Sequence, residues 1–349
     1  MCIRDRIQAI VSASVFAVAW LALTQGATDA IREVHQYLTR NSFTAEEIAR
    51  FDEGESVATA ATSGSEEMIA IAAVKIHVPR DRVLDYYGQM ISYVDGTATL
   101  AFGRFSTPPA PGDVKDLSFD PDEVDDLRSC KPGKCDIRLS GAGIEALRSS
   151  VDWSAPDVVD RVNAFARKAA LDYVTAYLSR GDAALVTYND RSKPVSLLQQ
   201  WRGIVGNAAH FQEYAPELKA YLAHFPGGSL AGGRDVFYWV KENYGLKPVI
   251  SIVHSVIYQP PSRADRAFVV QKQIYASHYY DGSLAMATAL SATENGQPVT
   301  YLVYANRSRG DLLRGGFGGV KRNVLQSQAR KAAEETLGTI KRQLEAVMP

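Results

Sequence analysis

The chain has 349 residues, 46% of them hydrophobic and 22% charged, with a formal net charge of −1. A chain of this size and balance can bury a globular core without cross-links, and its composition is neither that of a disordered nor that of a fibrous protein. The near-zero charge provides no global field to steer nucleic acid, so no nucleic-acid partner is expected.

At the start, Arg4 and Arg6 precede the almost wholly apolar run Ile7–Leu23, and the small residues Gly26, Ala27 and Ala30 follow. Charge, apolar run and small residues in that order predict a signal peptide over residues 1–30, with Thr28 and Ala30 at the −3 and −1 positions of a cleavage site. The run is at the lower limit for crossing a bilayer, so an uncleaved anchor is the alternative. Either reading places the folded part in the periplasm or outside the cell of a bacterium.

Residues Ala30–Phe51 read as helical, and Val57–Ala61 and Met68–Val78 as strands. Pro79 opens a helix whose apolar face is Val83, Leu84, Tyr87 and Ile91. Thr97–Phe105 is a further strand, stopped by Pro108 and Pro109. Asp120-Pro121-Asp122-Glu123 is a capped helix start. The acids that continue to Asp126 lack the glycine and the final glutamate of a calcium loop, and no metal is expected there. Cys130 and Cys135 enclose Lys131-Pro132-Gly133-Lys134. In an oxidising compartment this pair predicts a disulfide, contributing about 2 kcal/mol. Cys135–Leu139 reads as a short strand.

Ala155–Arg180 carries Val158, Val162, Phe165, Ala169, Tyr173 and Tyr177 at helical spacing, with Ser154 as cap and Gly181 as stop. Helical patterns follow at Val195–Val205, Ala215–His224 and Asp235–Tyr244. Residues 142–245 thus read as a helical insertion or lid between an N-terminal part of an α+β domain (31–141) and a meander with a closing helix (246–349). From Lys247 the period becomes two. Ile250, Ile252, His254, Val256 and Tyr258 share one strand face, and Phe268, Val270, Lys272, Ile274, Ala276, His278 and Tyr280 share another. Pro260 and Pro261, then Asp281-Gly282 (with a bulge as the alternative there), then Asn295-Gly296 mark the turns, joining strands Leu284–Ala292 and Val299–Ala305 into an antiparallel meander. A long helix is predicted from about Phe317 to Val347.

Ser277, His278 and Asp281 suggest a catalytic triad, but strand alternation directs Ser277 and His278 to opposite faces, and no G-x-S-x-G elbow occurs. No catalytic residue is assigned. His254 and His278 lie on apolar strand faces, roughly 20 Å apart along the hairpin, too far to share a metal. Each can supply one polar contact in an apolar cavity, with Tyr258 and Tyr280 as amphipathic walls. The glycines around Phe317 serve either as an anion-binding nest or as a hinge. Arg307, Arg309, Arg314, Lys321 and Arg322 gather beside them. That cluster would attract an anionic headgroup or membrane surface, or else form a solvated basic face. Asn306-Arg307-Ser308 matches a glycosylation sequon.

Three features carry a resemblance: Val74-Lys75-Ile76-His77-Val78-Pro79 running from strand into helix, the meander Val249–Tyr304, and the closing helix from Val320. Together they resemble the START-like, helix-grip superfamily of polyketide cyclases and lipid-transport proteins, over about half of the chain. The resemblance implies an α+β fold in which a curved antiparallel sheet grips a long C-terminal helix, with a cavity between them for lipids or other apolar molecules. The expected function is an exported binding protein for a hydrophobic or amphiphilic ligand, contacted by His254, His278, Tyr280, Tyr258 and Arg314, without a cofactor. An enzyme using a pocket histidine as general acid or base and a structural envelope protein are the alternatives.

Overall fold

The computed structural model describes residues 29–64, 66–89, 98–243, 245–313 and 318–346. The apolar N-terminal segment, with Arg4, Arg6, Gly26, Ala27 and Thr28, lies outside the described residues, as do Ile91, Arg314 and Phe317. No helix among the described residues is long and apolar enough to cross a membrane.

Eight strands form one antiparallel sheet: β1 (Val57–Ser63), β2 (Glu67–Ile76), β3 (Thr99–Phe105), β6 (Gly233–Glu242), β7 (Val249–Tyr258), β8 (Arg266–Ala276), β9 (Tyr280–Glu294) and β10 (Gln297–Gly310). Their order is β1-β2-β10-β9-β8-β7-β6-β3. A separate two-stranded ribbon joins β4 (Thr187–Tyr188) to β5 (Val195–Ser196). The meander β7–β10 is present as expected. The large sheet has two edges, β1 and β3, and is open rather than a barrel.

Two turns follow different physics. Asn295 (φ 51°) and Gly296 (φ 78°) occupy the left-handed region, as the twist of a two-residue hairpin requires. Asp281 and Gly282 do not form a turn; the alternative, a bulge, is what occurs, since Gly282 pairs with Arg309 and Tyr280 with Gly310, leaving Asp281 as the extra residue. The chain reverses at Ser277–Tyr279, with Tyr279 at φ 58°. β10 is long enough to pair Arg309 with Gly282, which draws residues 281 and 282 into β9.

The helices are α1 (29–40), α2 (Ala45–Asp52), α3 (Arg80–Gln89), α4 (Pro121–Arg128), α5 (Gly141–Ser150), α6 (Val158–Arg180), α7 (Leu197–Asn207), α8 (Ala209–Tyr214), α9 (Pro216–His224) and α10 (Gly318–Ala346). The helical stretch Ala30–Phe51 is two helices. Ser42 at φ 66° breaks it, and Thr44 restarts it in a capping box with Glu47: the Thr44 hydroxyl accepts from Glu47 N at 3.1 Å, and Glu47 accepts from Thr44 N at 2.9 Å. The Asp120 start is present too, with Asp120 N donating to Glu123 at 2.9 Å. Cys130 and Cys135 are bonded. Cys135–Leu139 is irregular rather than a strand, held where Cys135 N donates to Asp190 O at 2.8 Å.

The largest departure is Asp235–Tyr244. Its described part lies not in a helix but in β6, paired along its length with β7. Val236, Phe237, Tyr238, Trp239 and Val240 are all buried. A strand buried on both faces loses its two-residue alternation, so its apolar run is indistinguishable from a short buried helix.

Helices cover both faces of the sheet. On the outer face, α1 and α2 pack over Ile71, Tyr301 and Val303; α7, α8 and α9 over Val256, Phe268 and Met286; and α4, α5 and α6 over Ile250, Ile252 and Ile274. The helical middle of the chain therefore backs the outer face instead of forming a lid. On the inner face, α10 presents Ala333, Leu337, Ile340 and Leu344, spaced as one helical stripe, to Ala58, Ala72 and Val74. Alanines on β1 and β2 let that helix approach closely. It lies over the β1–β2 side of the sheet, while α3 covers one end of β8, β9 and β10. Truncating the fully buried Leu337 to alanine should cost about 3 kcal/mol, read as a lower urea midpoint with an unchanged slope.

Candidate functional site

The inner face is built in rows across paired strands. One row runs Arg234, Ile257, Val269, Ala287, Tyr304, Ala72 and Ala58. The next, farther from α3, runs Val236, Ser255, Gln271, Ala285, Asn306 and Ala70. Beyond it lie Tyr238, Val253 and Gln273 on β6–β8, and Ser283 opposite Ser308 on β9 and β10. On the α3 side, Ala267, Ala289, Leu302 and Val74 form an apolar row. The face thus grades from aliphatic beneath α3 to hydroxyl and amide at its other end. A bulge at Ile274, between Gln273 and Tyr275 opposite Val253 and Ile252, keeps Gln273 facing inward while Ile274 joins the outer core.

Side-chain hydrogen bonds link these groups. Gln271 Nε2 donates to Tyr238 Oη at 3.0 Å, Gln273 Nε2 to Ser251 Oγ at 3.0 Å, and Asn306 Nδ2 to Ser283 Oγ at 3.2 Å. Gln273 Oε1 is buried without a hydrogen-bond partner. Burial, reinforced by the charge of Glu242, pushes the Tyr280 and Tyr304 phenols up to about 12, so both remain neutral donors at ordinary pH. Tyr280 opens β9, where it pairs with Gly310 at the end of β10.

His254, Tyr258 and His278 are elsewhere. His254 is fully buried on the outer face, stacked on Phe237 with ring centroids 4.5 Å apart. Its Nε2 lies 2.7 Å from Asp235 Oδ1 and its Nδ1 3.2 Å from the Tyr177 hydroxyl. A carboxylate only accepts, so Nε2 carries the proton and Tyr177 donates to Nδ1. Tyr221 donates to the other Asp235 oxygen at 2.6 Å. Burial holds the imidazole below its ordinary pKa despite Asp235. Beside it the buried Lys272 ammonium pairs with Asp182 and lies 4.2 Å from the centroid of the Trp201 ring. Both ring nitrogens of His254 are committed to joining sheet and helices. Tyr258 stacks on Phe268 in the outer core.

His278 sits in the β8–β9 turn, not in a strand. Alternation therefore does not separate it from Ser277, whose hydroxyl is 3.0 Å from His278 Nδ1. The triad is still absent. Ser277 Oγ accepts from Ile250 N at 2.9 Å, and Asp281 pairs with the buried Arg138 at 2.7 Å. None of the six histidines occupies the inner rows. The basic cluster is also altered: Arg307 and Arg309 both pair with the buried Glu67. Asn306 of the sequon is half-buried in β10 rather than on an exposed loop.

The sequence reading passed over Ser251, Ser255, Gln271 and Gln273, and took Asn306 only as part of a sequon. Their signal was present as polar residues alternating with the apolar positions that drew attention. A cleft of about 30 Å³ between α1 and the outer face, at Tyr37, Tyr214 and Met286, is water-sized. Among the described residues no group of His, Cys, Asp and Glu could hold a metal.

No family model matches the chain, and no curated protein matches it. Among solved structures, the crystal structure of the Zhui aromatase/cyclase from Streptomyces sp. R1128 aligns with 41% of this chain and 85% of that chain, at 12% identity and a TM-score of 0.21.

Burial and the nearby Lys247 charge push the His278 imidazole down to about 4. The unfolded chain takes up a proton at this histidine near its ordinary pKa, the folded chain only near 4. Stability should therefore fall as pH drops from about 6.5 to 4, by up to about 3 kcal/mol from this group. Urea melts across that range should show a shallower loss for His278→Asn than for the parent.

Proposed function

We propose that this chain is an exported binding protein that holds a hydrophobic or amphiphilic small molecule on the inner face of the sheet, beside α3 and α10. One observation carries this reading. The outer face is filled by large side chains, among them Trp239, Phe237, Phe268 and Ile252, whereas the inner face intersperses Ser251, Ser255, Ala285 and Ala287 among Ile257, Val269, Gln271 and Tyr304. Side chains as short as serine and alanine fill little of the space above a sheet, and a face that alternates methyl, hydroxyl and amide groups suits a molecule with both apolar surface and polar atoms. Burial at about 25 cal/mol per Å² supplies the driving force.

Native mass spectrometry of protein purified without detergent should show a bound small molecule. Ala287→Trp, which places an indole over the floor, should abolish that mass increment, while His254→Phe, behind the sheet, should retain it. Loss of the increment in His254→Phe but not in Ala287→Trp would contradict the placement.

Export is proposed from the apolar N-terminal segment. Fractionation of bacteria expressing the full chain, with N-terminal sequencing, should find the protein released with the periplasm and trimmed to about residue 30. Retention in the membrane fraction with the segment intact would mean an anchor, and recovery from the cytoplasm would refute export.

A further inference from the structure

Resting on the binding reading above, we infer that the ligand carries a hydroxyl- or amide-bearing head that donates a hydrogen bond to Gln273 Oε1, with its apolar part directed along β9 toward α3. Gln273 is a specificity-determining residue for that head. The Gln273 amide nitrogen donates to Ser251 Oγ at 3.0 Å, and the amide oxygen is buried without a donor. A buried amide oxygen without a donor is destabilised, so an N–H or O–H brought by a ligand gains more here than in water. A trapped water could serve the same oxygen, but a purely hydrocarbon ligand that displaced it would leave the oxygen unpaired.

The surroundings set the orientation. Asn306, one row away, and Ser283 opposite Ser308 lie at the Gln273 end of the face. Toward α3, the same strands offer Ala287, Ala289 and Leu302. Successive inner positions on one strand are about 7 Å apart, so a head at Gln273 and a short chain over the alanines span the graded face in register. A fatty acyl chain without a donor matches only half of it.

The test uses delipidated full-length mature protein and a matched pair of probes, 1-monodecanoylglycerol and methyl decanoate, in calorimetric titrations. The parent should bind the glyceride at least about tenfold more tightly. Gln273→Leu should bring the two within about twofold, chiefly by weakening the glyceride. Gln273→Glu, which keeps acceptor oxygens at that position, should retain the preference and serves as the readout should Gln273→Leu fail to fold. Equal binding of both probes by the parent, a preference that survives Gln273→Leu, or one lost in Gln273→Glu with its melting temperature unchanged would overturn the assignment of Gln273 while leaving the binding reading in place. If neither probe binds and no co-purifying molecule is found, the binding reading itself fails, and this inference with it.

Discussion

Covering an eight-stranded sheet with helices on both faces takes its strand side chains out of water, including the charged ones. Each buried charge must then find a partner, because an unpaired ion inside a protein is costly. The pairs that result tie the layers together. Lys272 of β8 meets Asp182 after α6, and Lys241 of β6 meets Glu123 of α4 at 2.8 Å. Arg266 reaches Glu33 of α1 at 2.8 Å, and Arg138 joins Asp281 in β9 to Asp311 after β10. His254, neutral, does the same through Asp235 and Tyr177. Such pairs contribute little net stability compared with apolar isosteres, but removing one partner strands the other, so they fix which helix lies on which strand.

The outer face is thus packed largely by aromatic and aliphatic side chains, with its buried charges in ion pairs. The inner face is filled differently. Its apolar end is closed by α3 and by the stripe of α10, yet its middle strands carry alanine, serine and amides, with one carbonyl oxygen left unpaired. The binding reading follows from that asymmetry and needs no histidine, since both candidate histidines are engaged elsewhere, one behind the sheet and one in a turn.

Much of the fold was legible. The meander, the Asn295-Gly296 hairpin, the capped start at Asp120, the Cys130–Cys135 pair and the long last helix each rest on local rules: alternation, φ preference, capping and short-range closure. β6 was not legible, because a doubly buried strand shows no alternation. The Asp281-Gly282 turn was misplaced because strand length was set by the distant partner β10. The site was misplaced for a related reason. In a sheet covered on one side, the more apolar face points inward, and Ile252, His254 and Val256 looked like cavity wall. With both sides covered, the more apolar face became the solid core against α6–α9, and the mixed face of Ser255 and Gln271 became the candidate site.

Sequence alone determined most element types, with β6 and Cys135–Leu139 as exceptions, the antiparallel order of β7 to β10 and which residues alternate together, since these depend on neighbours a few positions apart. Only the tertiary structure decided which of the two strand faces meets α10, that the helical middle backs the other one, and that Gln273 keeps a bare oxygen. Those outcomes depend on contacts between segments far apart in the chain, where packing and desolvation, not local preference, choose among alternatives that the same alternating pattern fits equally well.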